Sequence, residues 1–174
     1  MKFSKQEIQN SKLKTIHIVR HGKALQSYRS ISDYDRPLIE KGIVNNEAVA
    51  WQLSSQFTTP DLIISSHAAR ALHTAHIFAR VMDYPQEQVQ VNKNLYMDGE
   101  DEARDVLKNL PDNIYSVMIV GHNPDMTCLA YTYAKQNIDP LPTSGVVTIR
   151  FETDKWSQIE SIESFDVQKF VTSV

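Results

Sequence analysis

The chain alternates short apolar runs with longer stretches in which apolar residues recur at helical spacing. Apolar runs at 15–19, 61–65 and 116–120 predict buried strands, and a weaker one at 89–91 predicts a fourth. Between and after them, residues 38–57, 68–82, 102–110 and 124–135 carry apolar residues three or four positions apart, which predicts helices. This pattern predicts an α/β fold, a three-layer α/β/α sandwich with a mostly parallel central sheet.

The last part of the chain has a different pattern. Residues 145–151 and 158–164 are predicted as two terminal strands, and a polar turn around Asp154 and Lys155 joins them. Because this connection is short, we expect two antiparallel terminal strands. At 174 residues with 41% hydrophobic content, the chain is long enough for one real core. We expect a polar arm over residues 1–12 and a single domain over 13–174.

Charge and composition narrow the class of protein. The net charge of −3 gives no overall attraction to nucleic acid or to an anionic membrane, so we expect neither as a partner. The first 14 residues contain no apolar signal region, and no stretch is long enough to cross a bilayer, which predicts a cytoplasmic protein. The single cysteine, Cys128, lies in an apolar helical pattern and is predicted to be a small core residue. The oligomeric state stays open.

The most informative polar feature is the triplet Arg20-His21-Gly22, at the end of the first predicted strand. Arginine offers a planar fork of donors that fits a phosphate, and a histidine ring nitrogen can bond to phosphorus as a nucleophile. Gly22 lets the backbone turn sharply and approach an anion. Lys23 and Ser27, on the loop that follows, are further candidates to contact the same phosphate. Since such triplets also arise by chance, their surroundings must decide.

Those surroundings agree, because two more predicted strands end in polar groups. The second strand leads into Ser65-Ser66-His67-Ala68-Ala69-Arg70, and the third into Gly121-His122-Asn123-Pro124. In an open α/β sheet, ligands bind beyond the carboxyl ends of the strands. Arg20, His21, Arg70 and His122 are therefore predicted to meet at one edge, where their charge suits phosphoryl transfer.

Through these motifs the chain resembles the histidine phosphatase superfamily, which is phosphoglycerate mutase-like, and within it the short SixA-type phosphohistidine phosphatases. The other carriers of the resemblance are Asp35-Arg36-Pro37-Leu38 with Gly42, His73-Thr74-Ala75, and Thr143-Ser144-Gly145. The resemblance implies that His21 is the catalytic nucleophile. It also implies that Arg20, Arg70 and His122 bind the phosphoryl group and neutralise its charge. Gly22 and Ser27 complete the predicted substrate-binding set.

The chain also departs from this family. Ser66-His67-Ala68 replaces the usual proline and leucine, and His73 replaces the usual glutamine. Larger branches carry an acidic residue over the site, for which Asp98, Glu100 and Asp101 are candidates by location only. An alkoxide leaving group needs a proton donor, whereas the imidazole of phosphohistidine needs far less help.

These features predict a phosphatase that hydrolyses phosphohistidine on a protein. The first alternative is a phosphomonoesterase that acts on a small phosphorylated metabolite by the same mechanism. The second is a catalytically weak phosphate-binding adaptor. In the enzyme, the cationic neighbours of His21 are expected to lower its pKa and keep it neutral. His122 is expected to become protonated once a phosphate dianion is bound, so the two histidines would titrate together.

Other histidines have simpler interpretations. His73 and His76 are three apart on a helix, but no third ligand stands at a suitable spacing, so no metal is expected. His17 is predicted to be a hydrogen-bonded residue of the core or sheet face. With no glycine-rich phosphate loop followed by lysine and serine or threonine, nucleotide binding of that type is not expected, and no cofactor is implied.

Overall fold

A six-stranded mixed sheet organises the chain. The computed structural model describes residues 12–26, 30–96 and 99–172. The strands are β1 (Leu13–Arg20), β2 (Leu62–Ser66), β3 (Gln90–Asn92), β4 (Ser116–Gly121), β5 (Val146–Glu152) and β6 (Asp166–Phe170), in the spatial order β3-β2-β4-β1-β5-β6. Strands β3, β2, β4 and β1 pair in parallel, and β5 is antiparallel to both β1 and β6.

Four α-helices accompany this sheet in the described part of the chain. They are α1 (Glu40–Gln56), α2 (Ala69–Val81), α3 (Gly99–Lys108) and α4 (Asp125–Ala134). Three-residue and four-residue 3₁₀ turns at Asp33–Asp35, Gln86–Gln88, Lys93–Tyr96 and Trp156–Gln158 complete the connections. Each helix begins within a few residues of where the sequence pattern predicts it.

The period-2 alternation of the central strands creates two cores. Ile18 of β1 and Ile119 of β4 point to one face, where they pack with Leu129 of α4. Their neighbours Val19 and Val120 point to the other face and pack with residues of α1 and α2. Residues one apart on a strand lie on opposite faces, so the strands are covered on both sides. The predicted α/β/α sandwich with a mostly parallel sheet is confirmed.

Two expectations about secondary structure and burial are wrong. Residues 158–164 are not a strand; they follow a 3₁₀ turn and continue as turns, and the last strand lies at Asp166–Phe170. Ile159 and Ile162 stand three positions apart in this segment, and Ile159 is buried by packing in a turn. Cys128 is exposed, because it lies on the outer side of α4.

The described residues include no helix that is long and apolar enough to cross a membrane. Lys12 is the only residue of the predicted N-terminal arm that falls in the described range, and it forms an ion pair with Asp154 at 3.5 Å.

Candidate active site

The site lies at the carboxyl ends of three adjacent strands. In the sheet order, β4 lies between β2 and β1. His67 follows β2, His122 follows β4 and His21 follows β1. Arg20 is in register with Gly121, and the His21 amide donates to the Gly121 carbonyl at 3.1 Å. This pairing places the two histidine rings side by side, with centroids 5.0 Å apart.

The His21 ring is oriented by the backbone of the next residue. Its Nδ1 lies 2.7 Å from the Gly22 carbonyl oxygen. Because a carbonyl can only accept, Nδ1 carries the proton and donates it, which leaves the lone pair on Nε2. The nitrogen available for attack on phosphorus is therefore Nε2.

Gly22 is needed for close packing beneath this ring. A Cβ atom at Gly22 would lie 2.5 Å from the Asn46 amide nitrogen. The Gly22 amide donates to Thr74 Oγ1 at 3.0 Å, and Asn46 donates to the same oxygen at 3.0 Å. Thr74 in turn donates to the Arg70 carbonyl at 2.7 Å. This buried network connects the loop that carries His21 and Gly22 to α1 and α2.

Arg70 approaches the nucleophile from the first turn of α2. Its Nε lies 3.2 Å from His21 Nε2 and donates toward the lone pair. The residue is 4% exposed, and its other two guanidinium nitrogens both donate to Asp33. Arg70 thus lies beside the nitrogen that would attack phosphorus, and Asp33 holds the outer side of its guanidinium.

His122 is held by a serine from the neighbouring strand. Its Nε2 lies 2.9 Å from Ser66 Oγ, and Ser66 Oγ accepts from the Ala68 amide at 3.4 Å. Ser66 can then donate its own hydrogen to Nε2, which favours the tautomer with a proton on Nδ1. Among the described residues, that buried Nδ1 has no hydrogen-bond partner. It is a donor available to an oxyanion.

Arg20 contributes a second unsatisfied donor. Its Nη1 donates to the Leu141 carbonyl at 2.6 Å, which fixes the guanidinium beside the site. Its buried Nε has no partner within the described ranges. Buried polar groups are nearly always hydrogen-bonded in folded proteins, so this donor and His122 Nδ1 are suited to hold the oxygens of an anion.

The site keeps both histidines neutral. Burial is the main cause that lowers the pKa of His21 to about 4. The hydrogen bond to the Gly22 carbonyl opposes this shift, and the charges of Arg70, Arg20 and Arg36 add to it. Burial also lowers the pKa of His122 to about 3, helped by His21 and Arg70. The expected effect of the arginines on His21 is present, but desolvation is the larger cause.

One wall of the site is formed by Asp33 and Tyr96, which the sequence pattern did not predict. Asp33 accepts from Arg70 Nη2 at 2.9 Å and from the Tyr96 hydroxyl at 2.5 Å. The Tyr96 ring lies edge-on to His122 and to His67, with centroids 5.3 Å apart in both pairs. Asp33 precedes the Arg36-Pro37 motif by only a few residues, and this position could have indicated a role in the site. Tyr96 lies in a 3₁₀ turn without a recognisable sequence pattern.

The remaining candidates lie elsewhere. Ser27 and Asp98 fall outside the described residues. Glu100 accepts from Thr132 on α4, and the Asp101 side chain is 90% exposed beside Arg104, so neither contacts the histidines. Lys23 lines an adjacent open cavity of about 470 Å³ with Lys41 and Lys169.

The other predicted histidines also have defined positions. His73 is exposed and His76 is half-buried on α2. His17 is fully buried, and its two ring nitrogens contact Thr148 Oγ1 at 2.8 Å and Ser116 Oγ at 3.3 Å. The prediction of a hydrogen-bonded core residue at position 17 is confirmed.

Comparison with known proteins agrees with this geometry. Residues 16–97 match the family model of the histidine phosphatase superfamily (branch 1). This segment is 82 of the 174 residues, just under half of the chain, and over it the chain is similar to that superfamily. The matched segment contains His21, Asp33, Arg70 and Tyr96.

Several similar proteins match most of the length of this chain. The uncharacterized protein Rv1276c of Mycobacterium tuberculosis is 26% identical over 153 residues, which is 82% of this chain and 92% of the relative. The protein histidine phosphatase SixA, solved with tungstate, has a TM-score of 0.75 at 21% identity and covers 90% of this chain and 96% of its own. The mycobacterial glucosyl-3-phosphoglycerate phosphatase Rv2419c has a TM-score of 0.61 at 15% identity, with coverage of 92% and 100%.

At these identities the solved structures establish the fold. It is the phosphoglycerate mutase-like α/β fold, of the SixA type. The match to the family model also supports phosphatase activity, without defining the substrate.

Proposed function

We propose that this protein is a phosphohistidine phosphatase that acts on a phosphorylated protein through a covalent phospho-His21 intermediate. The observation that carries the proposal is the orientation of His21. Its Nδ1 is bound to the Gly22 carbonyl at 2.7 Å, and its Nε2 faces Arg70 Nε at 3.2 Å. A neutral imidazole with a fixed lone pair beside a guanidinium is suited to nucleophilic attack on a phosphoryl group.

The first step transfers the phosphoryl group to His21 Nε2. As the substrate arrives, Arg70 Nε–H turns from the His21 lone pair to a phosphoryl oxygen, and Nε2 forms a bond to phosphorus. The P–N bond of the substrate breaks, and its electron pair stays on the departing imidazole nitrogen, which takes a proton from water. The hydroxide that remains is neutralised by the proton that the second step releases. Arg20 Nε and His122 Nδ1, which lack partners among the described residues, donate to the other oxygens.

In the second step, water attacks the phosphorus of phospho-His21. The P–Nε2 bond breaks, inorganic phosphate leaves, and neutral His21 is regenerated. A lowered His21 pKa favours this step, because an imidazole that binds a proton weakly is a better leaving group.

Among the described residues, the carboxylate that contacts Arg70 supports a phosphoramidate substrate, because it is a poor proton donor. Hydrogen bonds from Tyr96 and Arg36, together with the charge of Arg70, hold the pKa of Asp33 well below its usual range despite some opposing desolvation. Asp33 is therefore ionised at neutral pH and is a poor proton donor. An alkoxide leaving group would need such a donor, at a cost of roughly 10²- to 10⁴-fold in rate without it. An imidazole leaving group needs it far less.

A second candidate is a phosphatase of small phosphorylated metabolites. It is favoured by the shared fold with the glucosyl-3-phosphoglycerate phosphatase, whose name describes a small phosphate ester as substrate. Both candidates use the same nucleophile, so only the leaving group and the substrate differ.

The test compares substrates side by side. Purified protein is assayed against a histidine-phosphorylated protein and against panels of sugar and nucleotide phosphates, with His21→Asn as the inactive variant and the exposed His73→Asn as the matched histidine control. We expect the highest kcat/KM with the phosphohistidine protein, and full activity in His73→Asn. A higher kcat/KM with any phosphate ester would replace the proposal by the second candidate.

A further inference from the structure

Asp33 accepts two hydrogen bonds from the outer edge of the Arg70 guanidinium. Arg70 Nη1 donates to the Asp33 main-chain carbonyl at 2.5 Å, and Nη2 donates to Asp33 Oδ2 at 2.9 Å. The remaining nitrogen, Nε, points to His21 Nε2 at 3.2 Å. The guanidinium is thus fixed by one residue on its outer edge and faces the nucleophile with its inner edge.

Asp33 is itself held from two other directions. Arg36 donates to Oδ1 from Nε at 2.8 Å and Nη2 at 2.7 Å, and the Tyr96 hydroxyl donates to Oδ2 at 2.5 Å. Arg36 is anchored in turn, because its Nη1 donates to the Leu25 carbonyl at 2.6 Å. The carboxylate therefore has a defined position, although its side chain is 45% exposed.

We propose that Asp33 is a positioning residue for phosphoryl transfer, which aims Arg70 Nε at the phosphoryl group on its way to His21. This inference rests on the function proposed above. A flexible arginine has many rotamers, and transition-state stabilisation requires its donor within a few tenths of an ångström of the developing charge. The Asp33 contacts remain in place when Arg70 Nε exchanges its partner from His21 to the substrate.

The negative charge of Asp33 gives the proposal a distinctive signature. A carboxylate beside an anion-binding site repels a bound oxyanion in the ground state, so Asp33 does not serve to strengthen substrate binding. Removal of its charge should leave oxyanion affinity equal or higher, while the transfer rate falls because Arg70 is less well aimed. Damage to the pocket would instead weaken both.

The experiment uses Asp33→Asn with Asp35→Asn as the matched control. Asp35 lies in the same 3₁₀ turn, and its carboxylate accepts from Ser32 at 2.7 Å without contacting Arg70. Single-turnover transfer from phosphoramidate to His21 is measured by rapid quench, and tungstate affinity by calorimetry. For Asp33→Asn we expect a rate about 10- to 100-fold below that of Asp35→Asn, with tungstate affinity equal to or above wild type. Tyr96→Phe, which loses one support of Asp33, should show a smaller fall in rate.

Equal rates in the two variants would overturn the proposal, and so would a fall in rate accompanied by weaker tungstate binding. A readout independent of turnover is the ¹⁵N–¹H resonance of Arg70 Nε. We expect a slowly exchanging signal in wild type and Asp35→Asn, and loss of that protection in Asp33→Asn. If wild type transfers no phosphoryl group to His21, the proposed function fails, and this resonance still decides the role of Asp33: unchanged protection in Asp33→Asn contradicts it.

Discussion

Strand β1 contains the buried pair Lys14 and His17, and it ends at Arg20, which His21 follows directly. The surroundings of these two pairs differ. Within the strand, Lys14 donates to the carbonyls of Asp112 at 2.7 Å and Ile114 at 2.8 Å, and both nitrogens of His17 contact hydroxyl groups. At the other end, Arg20 Nε has no partner within the described ranges, and His21 Nε2 meets only the Nε of Arg70.

This comparison separates structural from functional polar groups. Burial lowers the pKa of His17 to about 3 and is also the main cause of the lowered pKa of His21, about 4. A lowered pKa therefore does not identify the nucleophile. The partners do: His17 has neutral partners at both nitrogens, whereas the lone pair of His21 is directed into a pocket with cationic donors.

The largest expected effect comes from exchanging the two histidines for asparagine. His21→Asn should lose at least about 10⁴-fold in phosphoryl transfer with little change in stability, because only the nucleophile is removed. His17→Asn should keep kcat and lose about 1–3 kcal/mol of stability, because buried hydroxyl partners are left unsatisfied. Steady-state kinetics and urea denaturation measure both. Substantial activity in His21→Asn would remove the distinction drawn here.

The next effect concerns the cation that faces the nucleophile. Arg70→Lys should lower kcat/KM about 10²- to 10³-fold, because lysine retains the charge but has no planar fork to contact both Asp33 and a phosphoryl oxygen. Kinetics with the preferred substrate test this. A loss of less than threefold would mean that charge alone is sufficient at position 70.

A smaller effect is expected at the buried cation in the first half of β1. Lys14→Met keeps most of the apolar stem but leaves the carbonyls of Asp112 and Ile114 without their donor, which should cost about 1–3 kcal/mol of stability. Because Lys14 lies at the opposite end of the strand from His21, kcat should stay within twofold of wild type. A tenfold loss of kcat at unchanged stability would contradict the structural role of Lys14.

The smallest effect is a dependence of stability on pH that arises from His17. Its folded pKa of about 3 lies below the ordinary value of 6.5, so the unfolded chain binds more protons between these values. Stability contributed by neutral His17 is complete above about pH 6.5 and is lost as the pH falls toward 3, by at most about 1.4 kcal/mol per pH unit. Urea denaturation between pH 7 and 5 should therefore show a shallower decline in His17→Asn than in wild type. Parallel declines would show that His17 is not buried in its neutral form.

The sequence was sufficient to predict the fold and the meeting of His21, Arg70 and His122. All three follow apolar runs, and the geometry of parallel strands determines where strand ends meet. The wall formed by Asp33 and Tyr96 was not predicted, because both lie in 3₁₀ turns whose side-chain directions depend on tertiary contacts. The last strand was misplaced for a related reason: residues 158–164 have apolar residues only at positions 159 and 162, and Ile159 is buried through a turn.

The central claim is that His21 Nε2 carries the phosphoryl group during turnover. The most direct measurement is a rapid quench of wild-type protein with ³²P-labelled substrate, followed by peptide mapping of the labelled protein. We predict one labelled peptide that contains His21, with a bond that is labile in acid and stable in alkali, and no label in His21→Asn. Label on a serine or an acidic residue, or turnover without any labelled protein on the time scale of a single cycle, would contradict the account.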